Sequence, residues 1–77
     1  MNNPRRKELR KALELLEEAL SIIEVAWEEE QDSFDNLPEG IQESERGEII
    51  EENASRLEEI ADSIGGQIDE LVEIIEG

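Results

Sequence analysis

Seventy-seven residues allow one small domain, and a domain of this size is marginally stable unless it is stapled or associates. There is no cysteine and no histidine, which removes disulfides, Cys/His zinc sites and imidazole acid–base chemistry. The 23 Asp and Glu against 7 Lys and Arg give a net charge of −16, a surface that nucleic acid and anionic lipid would repel.

The chain opens on a basic stretch. Arg5, Arg6, Lys7, Arg10 and Lys11 against Glu8 give the first eleven residues +4, and everything after carries 22 acids against Arg46 and Arg56. Glu8, Arg10, Lys11 and Glu14 interrupt any apolar run, so neither a signal peptide nor a membrane span is expected. The expectation is a soluble, cytoplasmic protein.

Leu9, Leu13, Leu16, Leu20, Ile23 and Trp27 are spaced 4, 3, 4, 3, 4, a heptad seam with its a and d positions filled. The next seam positions are Glu30, which violates the pattern, and Phe34. Asn3 suits an N-cap and Pro4 the first helical position, so a first helix is predicted over about 4–34.

A turn follows over about 35–43, where Pro38 disfavours helix at Leu37 and Gly40 can adopt a left-handed conformation. A second helix is predicted over about 44–76. Ser44 is its N-cap, with Glu45 and Glu48 in the first turn where the helix dipole favours them. Ile50, Ala54, Leu57, Ala61, Ile64, Ile68, Leu71 and Ile75 form an unbroken seam, and no acid falls at its a, d or g positions. Gly65 and Gly66 leave two readings open: a continuous helix, kinked at the pair, or a break before a short third helix from Gln67. Gly65, beside the seam, allows close backbone approach, which makes the pair a candidate interface or hinge.

The fold expected is therefore all-α, one domain, an antiparallel helical hairpin with heptad-type seams. In it Arg5 to Lys11 lie beside Asp69, Glu70, Glu73 and Glu76, so charges that oppose each helix dipole compensate side by side. Glu30 is expected either to pair with Arg46 across the turn or to mark where the helices splay.

The first helix has a second stripe, Ala12, Leu15, Ala19, Ile22 and Ala26, with Val25 beside it. One partner helix cannot cover a helix that is apolar nearly all round. Burying Leu15 and Ile22 would stabilise an assembly by about 1.5–3 kcal/mol each. A homodimer forming a four-helix bundle is expected; docking of a target helix on the same stripe is the competing reading.

No catalytic, cofactor-binding or metal-binding constellation is visible. Two-carboxylate glycoside chemistry needs facing acids across a cleft, and carboxylate-bridged metal bundles need Glu-x-x-His. No calcium-loop spacing occurs, and the serines lack a base in a plausible array. The expectation is a protein that is not an enzyme and uses no cofactor.

The run Phe34-Asp-Asn-Leu-Pro-Glu-Gly-Ile-Gln-Glu-Ser-Glu-Arg-Gly-Glu48, with Glu51-Glu52-Asn-Ala and Leu57-Glu58-Glu59, resembles small uncharacterised acidic proteins of bacteriophages and prophages of Gram-positive bacteria. The resemblance implies a phage product acting in the cytoplasm of a bacterial host cell; it carries over no functional residues. In that setting the expected function is a nucleic-acid-mimicking decoy that inhibits a host defence or nucleic-acid-processing protein through a basic groove. Twenty net charges after residue 11, on a hairpin about 45 Å long, give one per roughly 2.3 Å, against about 1.7 Å for duplex DNA. The acids expected to stand in for phosphates are Glu17, Glu24, Glu28, Glu51, Glu52, Glu58, Glu59, Asp62, Asp69 and Glu73. The alternative is a helical interaction or assembly adaptor that uses the apolar stripe.

Overall fold

A computed structural model describes all 77 residues as helices α1 (Asn3–Asp35), α2 (Glu39–Gln42) and α3 (Glu45–Glu76), with no strand. The long helices lie side by side in a body of 58 × 15 × 13 Å, one hairpin long and one helix pair thick. No helix is long and apolar enough to cross a membrane.

Each long helix begins at a polar cap. Asn2, not Asn3, caps α1: its side-chain oxygen accepts from the Arg5 N–H at 2.8 Å. Pro4, with no N–H of its own, is accommodated in the first turn either way. Ser44 caps α3 as expected; its hydroxyl accepts from the Gly47 N–H and donates to the Ile41 carbonyl.

The connection differs from a plain turn. Pro38 breaks the helical path after α1, and its carbonyl accepts from the Ile41 and Gln42 N–H groups at 2.8 and 3.0 Å to start α2. Gly40 sits inside α2, and no residue has a positive φ, so its left-handed freedom is unused. The Gln42 side chain donates to the Phe34 carbonyl at 3.1 Å and ties α2 to the end of α1. Gly47 is buried under this connection, where an added Cβ would collide with the Ile41 and Gln42 carbonyls.

The seams pack against one another. Leu13 and Ile75 line one hollow, Glu30 and Leu57 another, so residues of α1 and α3 whose numbers sum to about 87 are level. That register sets Trp27 against Ala61 and Phe34 against Ala54, large against small. It accounts for burial: apart from Gly47, the buried residues are Ala54, Ala61 and Ile75, all on the α3 seam. The remaining seam residues, Leu9 to Trp27 and Ile50 to Leu71, are half-buried. Trp27 is held there with its indole N–H unpartnered.

Glu30 does not pair with Arg46. It is half-buried beside Asn53, Arg56, Leu57 and Ile60, because the register makes Arg56 the basic residue near its level. Nor do the basic start of α1 and the acidic end of α3 form ion pairs. They share an end, and Arg10 and Glu76 line one hollow, but the single salt bridge is Lys11 to Glu8 at 3.1 Å within α1.

α3 runs unbroken through Gly65 and Gly66, and an added Cβ at either would meet nothing within 4 Å. Within the hairpin nothing approaches Gly65; the space there is open. Gly65→Ala and Gly66→Ala should each stabilise the hairpin by about 1 kcal/mol through helix propensity. Gly47→Ala should cost about 1–3 kcal/mol, because backbone must move to admit the methyl group. Thermal denaturation followed by circular dichroism separates the two directions.

Candidate functional site

The heptad register divides the hairpin surface into two sides. In an antiparallel pair the e positions of both helices flank the seam on one side and the g positions on the other. Arg10, Glu17 and Val72, all e positions, line one hollow together, as that geometry requires.

The side built from g and c positions is electrically neutral and carries Leu15, Ile22, Ile49, Ile60 and Ile74, most of the exposed large apolar residues. Its g positions read Arg5, Ala12, Ala19, Ala26 and Ser33 on α1, and Arg46, Asn53, Ile60, Gln67 and Ile74 on α3. None is acidic. The c positions add Leu15, Ile22 and Ile49, with Glu8, Glu29 and Glu70 as the only acids and Arg56 as the only base. Three acids against Arg5, Arg46 and Arg56 leave this side with no net charge, in a chain whose net charge is −16.

Of the stripe predicted on α1, Ala12 and Ala19 are half-buried against the neighbouring helix, whereas Leu15, Ile22, Val25 and Ala26 are exposed. Leu15 is 66% and Ile22 64% accessible, values suited to surface residues rather than to leucine and isoleucine. Val25 falls at the rim, at an f position. The sequence reading confined the stripe to α1 and missed α3, where Ile60 and Ile74 are 47% and 54% exposed on the same side. The missing acids at g were the available signal.

The other side and the back are acidic. Glu17, Glu24, Glu51 and Glu58 are e positions, Glu28, Asp62 and Asp69 are b positions, and Glu52, Glu59 and Glu73 are f positions. All ten are exposed, and none is in a salt bridge. They form a continuous arc around the hairpin rather than a patch on one helix. Over the whole 58 Å body the net charge of −16 amounts to one per about 3.6 Å, sparser than the expected 2.3 Å, because the basic first eleven residues are included and the staggered helices make the body longer than 45 Å.

No three carboxylates converge closely enough to hold a metal ion. The hollow richest in acids is lined by Glu48, Glu51, Glu52, Ser55, Arg56 and Glu59 of α3 alone, an open stretch of helix surface rather than a cleft. No family model, curated protein or solved structure matches the chain significantly.

The two sides predict different mutational behaviour. Leu57→Glu places a charge in the seam and should cost on the order of 2 kcal/mol or more. Leu15→Glu and Ile22→Glu alter residues already exposed in the hairpin and should leave its helicity intact. Equal loss of helicity in all three would mean that hairpin folding and association are a single event.

Proposed function

We propose that this protein acts without catalysis, by binding, as a dimeric four-helix bundle whose apolar sides are sealed together and whose acidic arc faces a basic groove of a nucleic-acid-handling protein. The observation that carries this reading is the segregation of charge: the ten outward acids are unpaired on one arc, while the opposite side is neutral and apolar. Sealing the neutral side leaves all the net charge outside.

The magnitudes favour the dimer as the mimic. Two copies side by side carry twice −16 over about 60–70 Å, one net charge per about 1.8–2.2 Å, approaching the about 1.7 Å of duplex DNA. A single hairpin is too sparse. In the phage setting that the turn's resemblance implies, the target would be a host defence or nucleic-acid-processing protein.

A second reading has its own observation. The exposed Leu15, Ile22 and Val25 suit docking of a target helix, with acidity serving solubility. The protein would then be an assembly adaptor.

Capture from a bacterial lysate on immobilised protein separates them. On the mimic reading, partners elute at about 0.5 M salt, since exposed ion pairs are screened within about 8–10 Å already at physiological salt. A competing oligonucleotide should displace them, and reversing Glu51, Glu52, Glu58 and Glu59 to lysine should abolish capture with the fold retained. Capture that survives salt and charge reversal but fails in Ile22→Glu or Val25→Glu would establish the adaptor instead.

A further inference from the structure

We infer that the apolar side docks on the same side of a second copy with the two hairpins running in opposite directions, about a twofold axis at the level of Ala19 and Gln67. This rests on the dimer reading above and adds its polarity and register.

The first observation is self-complementarity. An isologous interface must match its own reverse. The α1 stripe reads Ala12, Leu15, Ala19, Ile22, Ala26, nearly the same forwards and backwards. About an axis at Ala19, Ala12 of one copy meets Ala26 of the other, Leu15 meets Ile22, and Ala19 meets itself. Alanine at every seventh position lets the helix axes approach to the low end of the usual 8–10 Å. Ala19 is also the central residue of Asn3–Asp35, so the two α1 helices overlap along their whole length.

The second is that α3 repeats this symmetry about the same level. Gln67 lies within about one residue of the level of Ala19 in the hairpin register. About that axis Ile60 meets Ile74, and Gln67 meets its own copy, where one amide can donate and the other accept. One axis thus covers Leu15, Ile22, Ile60 and Ile74; Ile49, near the connection, lies beyond the end of the second copy's α3.

The third is charge. Residues 21–66, the half of the hairpin at the connection, hold 15 acids against Arg46 and Arg56, a net of −13; the remainder holds 8 acids against 5 bases, a net of −3. Hairpins stacked in the same direction set −13 beside −13. Stacked in opposite directions they set each −13 beside a −3, so repulsion falls by more than half. The one unfavourable pairing brings Glu8 level with Glu29 of the second copy, and Glu8 is already paired with Lys11.

The area suffices. The overlap, about the length of α1 (roughly 50 Å) by 15 Å, offers on the order of 700 Å² per copy, near the low end of a standard specific interface.

Single cysteines in this otherwise cysteine-free chain test the arrangement, with circular dichroism of the reduced variants as the folding control. Light scattering of the parent protein at about 100 µM should give twice the 8.8 kDa chain mass. Under mild oxidation Ala19→Cys should become a covalent dimer by itself. Ala12→Cys and Ala26→Cys should each cross-link poorly alone, and about tenfold better when mixed, because disulfides need Cα atoms within about 7 Å. Ala12→Cys cross-linking as well alone as with Ala26→Cys, or Ala19→Cys staying uncoupled in a protein of dimer mass, overturns the opposed orientation and leaves the dimer standing. A parent mass of 8.8 kDa overturns both.

Discussion

Everything in this molecule depends on one seam, the a and d residues of α1 packed against those of α3. It has to work with little material. Its largest members, Trp27 and Phe34, lie level with alanines on the other helix, and those alanines are among the few buried residues. Large-against-small pairing lets the helices stay close despite an indole and a phenyl ring between them. The seam also fixes rotation: once a and d face inward, the acids must point outward and the alanines of α1 must flank the neutral side. Segregation of charge is thus a consequence of how the core is built.

A thin core explains why the connection is so tightly made. With no fully buried large side chain, hydrogen bonds at the connection carry a larger share of the order. Ser44 both donates and accepts there, Gln42 reaches back to Phe34, and Gly47 lets α3 start against the backbone of α2. Together they fix where α3 starts relative to the end of α1, and so the register of the two seams. A slip would move Trp27 off Ala61 and bring acids toward the core.

Much of this architecture was legible in the sequence, and the limits have identifiable causes. Heptad spacing placed both long helices within a residue or two, because sixteen seam positions repeat one period. Asn2 and Asn3 are equally able caps, and composition does not choose between them. α2 is one turn long, too short to have a period, so Pro38 and Gly40 spoke only for a turn. The partner of Glu30 was misassigned because the connection, though as long as expected, carries the chain past the end of α1, so α3 starts beyond Asp35 and the two helices are staggered. Gly47 gave no signal, since its role exists only where two carbonyls pass over it. At the candidate site, the stripe on α1 was visible as a helical period. Ile60 and Ile74 lie fourteen residues apart and join that stripe only after the helices pair.

The unpaired acids have a consequence for the solvent around the protein. With one salt bridge among 23 carboxylates, balance must come from dissolved cations gathered close to the hairpin. Those cations are part of its thermodynamic state. A basic surface arriving at the acidic arc would release them, and the entropy of their dilution would favour the complex most where ions are scarce. The same cloud shields the helices from each other's charge, so added salt should tighten the hairpin as it loosens a basic partner. Ionic strength therefore acts on folding and on binding with opposite sign.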